Sequence, residues 1–405
     1  MSRSLGSAIL AAALPLITPS HTEVNTLEVR DAGGDRIRMV IAVLSGSAED
    51  PAGKEGVAAL AARALAPMAA GTSVWVDKNA TRFACDAPAA DFETACGPLI
   101  DAMGRRVLDP GRIGEERARM LEALDGLRAS SEVIVEVFDA LAFRGGPRAH
   151  PAAGTTAGLS TVTADDLSAF VLAHYRKGNV VTGLSGPTSA QVMSRVREGL
   201  APLPDGPPQR RRPALSYLTR PRVLLVEQPG ASPRGLAGVP LPFGRTHPDY
   251  LPLLSAMNPA GGAAWLRDRH AFVEELPMST AAPSELESQL ARLAARLRQG
   301  PDAAAIEKTQ ELAPEGGDAH ARLLDQLLDI QWRTPGFRDR LPASLRAISP
   351  ERVRATLNKH VLPERLAVVV LVPEAAQFLG QIRDDPAGFL SRDDYETVKA
   401  SDLFR

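Results

Sequence analysis

Two periods of hydrophobic patterning alternate along this chain. Short runs with β-branched residues at Asn25 to Arg30 and Arg36 to Leu44 predict strands that turn at Ser45-Gly46-Ser47. Apolar positions at helical spacing predict a helix from Gly53 to about Leu65. A strand at Thr81 to Cys85 follows, then helices at Ala90–Val107, Ile113–Leu127 and Glu132–Phe143. The second part of the chain predicts a strand at Arg222–Glu227 and helices at His247–Met257, Ser284–Leu297, Gly316–Trp332 and Pro350–His360. Strands and helices mix without strict βαβ alternation. That pattern predicts an α+β fold: helices packed on largely antiparallel sheets.

The same grammar occurs twice. Leu159–Ser185 (LSTVTADDLSAFVLAHYRKGNVVTGLS) aligns without a gap on Leu345–Leu371 (LRAISPERVRATLNKHVLPERLAVVVL). Val162 falls on Ile348, Thr163 on Ser349, Leu167 on Val353, His174 on His360 and Val180 on Leu366. Thr163 and Ser349 carry hydroxyls that can accept an orphan N–H at a helix start. Pro350 takes the first helical position, and Asp166 can complete a capping box. His174 and His360 then sit near helix C-termini, where a structural role is expected. A helix, turn and strand repeated at constant offset imply two homologous halves. Between them Leu203–Ser216, rich in Pro and containing Arg210-Arg211-Arg212, reads as an exposed linker.

Composition narrows the function classes. With 405 residues, two or three domains are expected. A 44% apolar and 23% charged chain excludes disorder. The formal charge of −2 gives no pull toward nucleic acid or an anionic membrane. Two cysteines, Cys85 and Cys96, exclude a Cys-rich metal site. One falls on a predicted strand and the other on the next helix, and both are read as small buried hydrophobes rather than as a pair. The apolar run Leu5–Ile17 is too short to span a bilayer. It is either the core of an export signal, which would place the protein in the periplasm, or a buried first element of a cytoplasmic protein. The pairs Asp384-Asp385 and Asp393-Asp394 lack metal-ligand spacing and are expected to be solvated.

The order of these motifs resembles the pitrilysin/insulinase superfamily of zinc peptidases, which includes mitochondrial processing peptidase. Val40–Ala66 (VIAVLSGSAEDPAGKEGVAALAARALA) is similar to the family's first strand, Gly-Ser turn and glycine-entered helix. His150–Val171 and Tyr175–Pro187 resemble the segments leading into and out of the capped helix. His247–Met257, Gly261-Gly262 and Leu266–Val273 resemble the second half's helix, Gly-rich turn and arginine segment. The chain thus divides into a candidate signal or leader segment at 1–21, a linker at 204–216 and a C-terminal tail at 376–405, with the resemblance implying pitrilysin-like domains at 22–203 and 217–375. The resemblance also implies that the second domain is abridged, with little room for a strand pair between Phe272 and Ser284.

Family members hold zinc with H-x-x-E-H on the first helix and a downstream glutamate. Two imidazoles one turn apart share a helix face, and the glutamate between them serves as general base. Setting Gly56 as the entry glycine places the first histidine on Ala59, the glutamate on Ala62 and the second histidine on Arg63. The downstream glutamate falls on Ala123, with Glu122 one place away. A shifted register does not restore the motif: the first 150 residues contain only His21 and His150, and no H-x-x-x-H occurs anywhere. The expectation is therefore no zinc, no other cofactor and no hydrolysis. Arg267 stands at the family's substrate-positioning arginine, read here as a surface residue at a helix end. Glu274 replaces the tyrosine seven residues later, and a carboxylate cannot donate to an oxyanion at neutral pH.

The resemblance implies a non-catalytic subunit that helps an active, zinc-bearing paralogue enclose peptide as one half of a clamshell. The alternative is a stand-alone binding or scaffold protein, as a homodimer, without peptidase activity.

Overall fold

The structure, a computed structural model, describes residues 22–405 except 32, 68–69, 208–217, 242, 257–263, 268–270, 300–303, 305–317, 363–364 and 383–389. The leader, the arginine cluster of the linker, Gly261-Gly262 and Asp384-Asp385 lie outside the described residues.

The first half opens with β1 (Asn25–Arg30) and β2 (Arg36–Val43), then α1 (Val57–Leu65), β3 (Thr72–Val76) and β4 (Thr81–Pro88). Six helices follow: α2 (Phe92–Arg105), α3 (Pro110–Ala129), α4 (Val133–Ala142), α5 (Thr156–Thr161), α6 (Ala164–His174) and, after β5 (Val180–Gly186), α7 (Ala190–Leu200). The second half comprises β6 (Arg222–Glu227), β7 (Arg234–Pro240), α8 (Tyr250–Ser255), β8 (Ala264–Arg267), β9 (Ala271–Leu276), α9 (Pro283–Gln299), α10 (Ala319–Trp332), α11 (Phe337–Arg346), α12 (Pro350–His360), β10 (Ala367–Val372), α13 (Ala375–Gly380) and β11 (Tyr395–Lys399).

The two sheets share one strand plan. The first runs β1-β5-β2-β4-β3, and the second runs β6-β10-β7-β9-β8 with β11 added outside β6. In both, the first strand lies parallel to the last of its repeat: Asn25 faces Val181 and Arg222 faces Ala367. The remaining pairings inside each five-strand set are antiparallel. The repeated helices α6 and α12 each have 11 residues and end in nearly equal C-cap conformations (φ −89°, ψ 73° and φ −92°, ψ 76°). Thr163 Oγ1 accepts from Asp166 N while the Asp166 carboxylate accepts from Thr163 N, so the expected capping box forms. Ser349 Oγ accepts from Arg352 N, with Pro350 at the first position.

Both faces of each sheet are apolar, so each needs two helical layers. On one face of the first sheet, Ile37, Met39, Ile41, Phe83 and Leu184 pack with α1, α2, α3, α6 and α7. On the other, Val40 and Val181 meet Leu323 and Leu327 of α10, a helix of the second half. Gly183 permits this approach, since a Cβ there would lie 2.6 Å from Leu323 Cδ1. The exchange is mutual. Val133, Val137, Phe138 and Leu141 of α4 pack on Val226, Leu236, Val369 and Leu371 of the second sheet. Its opposite face, with Val223, Leu225, Val368 and Val370, is covered by Leu286 and Leu290 of α9 and Phe378 of α13.

Three expectations are corrected. Within the segment read as a C-terminal tail, residues 395–404 join the second sheet and core: β11 pairs in parallel with β6, Leu403 is buried, and Arg128 donates to the Leu403 and Phe404 carbonyls. Asp394 is buried, not solvated, and caps its own turn by accepting from Ser391 N and Oγ. Cys85 and Cys96 form a disulfide between β4 and α2, with Sγ atoms 2.09 Å apart. Both had the burial expected of small hydrophobes, but the alternation of β4 and the start of α2 aim them at each other.

The repeated histidines turn inward. His174 Nδ1 lies 3.0 Å from Ser45 Oγ, which also accepts from Asn179 Nδ2. His360 Nε2 lies 2.8 Å from Asp249 Oδ2, and the Asp249 carboxylate also accepts from Lys359 and Arg352. Burial raises the Asp249 carboxyl, but the hydrogen bonds from His360 and Lys359, with the charges of Lys359 and Arg352, outweigh it and hold the pKa at about 2.

Closing the 11-residue separation between Cys85 and Cys96 removes unfolded-chain entropy. Reduction, or the double change Cys85→Ala and Cys96→Ala, is expected to lower stability by about 3 kcal/mol. Urea unfolding with and without reductant reads this, and the native protein should show no titratable thiol. For Asp249 the depressed pKa supplies stability above the unfolded value near 3.8, lost as pH falls through about 2. Asp249→Asn should cost about 2 kcal/mol at neutral pH and remove that part of the acid-limb decline, followed by the same unfolding assay.

Candidate functional site

The helix that corresponds to the family's metal helix is held at its start by a carboxylate and a glycine. Asp50 accepts from Gly56 N at 2.7 Å and Ala58 N at 2.8 Å, satisfying two orphan donors of α1. Gly56 has φ 109°, and a Cβ there would lie 2.7 Å from Leu159 Cδ2. The resulting helix buries every residue from Val57 to Leu65 except Arg63.

This burial decides what the substituted positions can do. Ala59 (4% exposed) and Ala62 (0%) are core methyl groups, whereas Arg63 faces solvent. On α3, capped by Asp109 and started by Pro110, both Ala123 and Glu122 are exposed. The four positions thus supply two methyls to the core, one methyl to solvent and one guanidinium. None offers a lone pair to a divalent ion. Among the described residues, no group of three or more His, Cys, Asp or Glu side chains is arranged to hold a metal.

Arg267 ends β8 rather than a helix, which corrects the expectation for it. Its backbone pairs with Ala271 next to the turn, while Glu274 pairs with Ala264 and, on its other side, with Ala237. The two residues therefore share one hairpin, but their side chains lie outside the described atoms. β8 and β9 also supply the strand pair expected to be missing: β8 lies before Phe272 and β9 runs through it to Leu276, and the second sheet has a counterpart for each strand of the first.

Sequence reasoning missed Asp50 and Lys78. Lys78, in the turn between β3 and β4, is 2% exposed. It donates to the His150 carbonyl and lies 3.7 Å from Glu136 Oε2 and 3.9 Å from Asp139 Oδ2 on α4. A lysine in a polar Asp-Lys-Asn turn gives no local sign of burial; only the arrival of α4 creates it. Burial is also the main cause that raises the Asp50 carboxyl to about 7, against hydrogen bonds from Gly56 and Ala58 that favour the charged form.

Comparison with known proteins fits this picture. No family model matches the sequence, and no curated protein matches it. Among solved structures, the chain is similar to a peptidase M16 inactive domain from Pseudomonas fluorescens, with TM-score 0.76 and 17% identity over 88% of this chain and 97% of that one. It is similar to the first half of the periplasmic protease PqqL from Escherichia coli, with TM-score 0.73 and 11% identity over 93% and 95% of the two chains. It covers 49% of the complete PqqL chain. A chain of complex III2 from Candida albicans matches with TM-score 0.73 and 12% identity over 87% and 95%. The chain has the pitrilysin-like (M16) half fold, without the side chains of that family's zinc motif.

Because its folded-state pKa is raised, Asp50 stabilises most below about pH 4, and that contribution is lost as pH rises through about 7. Asp50→Asn keeps one carbonyl acceptor for the helix start. Urea unfolding from pH 5 to 8 should show a flatter profile for Asp50→Asn than for the wild type; equal slopes would refute the assignment.

Proposed function

We propose that this protein is a non-catalytic pitrilysin-like chain that pairs with a zinc-bearing paralogue and forms part of the wall around a peptide substrate. The observation that carries this reading is the retention of the whole scaffold, including α1 and its Asp50–Gly56 anchor, together with replacement of all four metal-site positions. Without ligands for zinc and without the glutamate base, no hydroxide is generated at neutral pH. Binding of peptide needs none of these groups. The strand β3 beside α1 is an edge of the first sheet, paired among the described residues only with β4, and can add an extended peptide through main-chain hydrogen bonds. The Cys85–Cys96 disulfide supports an oxidising compartment, and with it export by the leader.

The fold likeness to a chain of complex III2 supports a second reading, a homodimeric scaffold without a peptidase partner. Co-expression with a zinc-bearing paralogue separates the two. On the first reading the two chains co-purify, and peptide cleavage by the paralogue falls at least about tenfold when this chain is withheld. Full activity of the paralogue alone, or peptide cleavage by this chain alone, would reject it.

A further inference from the structure

The duplicated sheets differ at one edge. In the second sheet the first strand of the repeat, β6, is flanked by β11, which runs parallel to it from Tyr395 beside Val223 to Lys399 beside Glu227. In the first sheet the equivalent strand is β1, and among the described residues no strand pairs with its outer side. The common register (Asn25 on Val181, Arg222 on Ala367) makes Thr26 to Arg30 the counterparts of Val223 to Glu227.

We infer that the outer edge of β1 is a docking site for a short extended segment of another polypeptide, which runs parallel to β1 as β11 runs along β6. Main-chain pairing supplies the affinity, and side chains set the sequence. Where β6 has Glu227 in register with Lys399, β1 has Arg30, whose side chain is 71% exposed. The charge at this position is reversed, so the guest carries an acidic residue where β11 carries lysine. Where β6 has Leu225 beside Thr397, β1 has Glu28, held by Arg30 and Thr188. A basic residue suits the guest there.

Room exists beside the strand. A cleft of about 610 Å3 lies between the start of β1 and the end of α7, lined by Thr22, Asn25, Lys177, Arg197 and Leu200 among others. This edge is opposite to β3 in the strand order, so the inference does not depend on the peptidase-partner reading.

The test uses the full-length protein and two fluorescein-labelled synthetic peptides: YETVK, the β11 sequence, and its charge-adapted form YEKVE. Fluorescence anisotropy should show YEKVE bound about tenfold more tightly than YETVK, the discrimination expected of one complementary against one repelling contact. Arg30→Glu, a change at an exposed side chain, should reverse the order, with circular dichroism confirming the fold. Hydrogen exchange should gain protection at residues 25–30 when YEKVE is added. Three results would overturn the inference. These are binding of neither peptide, an order unchanged by Arg30→Glu, and protection of residues 25–30 already complete without peptide, which would mean that this chain covers the edge itself.

Discussion

The structure depends on the reciprocal exchange of two helices. A sheet whose strands are apolar on both faces cannot leave either face to water, because each buried Val, Leu or Ile contributes roughly 1.5–3 kcal/mol that exposure would forfeit. Each half here builds one helical layer for its own sheet and borrows from the other: α4 covers the second sheet and α10 covers the first. Polar contacts fix the register of the exchange. Lys78 of the first sheet's turn reaches Glu136 and Asp139 on α4, and Arg82 of β4 donates to Gln331 on α10. A buried lysine next to one carboxylate would be costly. Flanked by two, with a carbonyl as acceptor, it fixes α4 against the first sheet at one place, while the Arg82–Gln331 contact crosses between the halves.

That architecture holds α1 in place without any metal ligand. The helix is positioned by Asp50, Gly56 and the surrounding core, not by an ion. Alanine at 59 and 62 is small enough for the packed face, and its methyl group needs no hydrogen-bond partner there. Arg63 lies on the one solvent-facing position of α1, where a guanidinium carries no desolvation cost. The disulfide between Cys85 and Cys96 adds a covalent tie between β4 and α2 inside the same core.

Much of the fold was legible in the sequence because local chemistry and tertiary placement agree. The capped helices α6 and α12 were readable from Thr163, Asp166, Ser349 and Pro350, since an N-cap needs only its own turn. Strands β1 and β6 were readable from their apolar runs. The strands that escaped were β3, β7, the β8–β9 pair and β11; three of them show why. Thr72–Val76 is a half-exposed edge, Arg234–Pro240 contains two glycines and a proline, and Tyr395–Lys399 is mostly polar. None of these forms a strand by its own preference; each does so because a partner strand offers its hydrogen bonds. The lack of an H-x-x-E-H motif, by contrast, was visible at once, because a motif is a matter of residue identity.

The sequence alone determined the α+β plan and the absence of an H-x-x-E-H motif, since periodicity, caps and side-chain type are local properties. Only the tertiary structure decided that two cysteines meet, that Lys78 is buried, that α4 and α10 change places and that the last strand closes the second sheet. Each of those depends on which surfaces come together across long stretches of chain, and no local pattern encodes that distance.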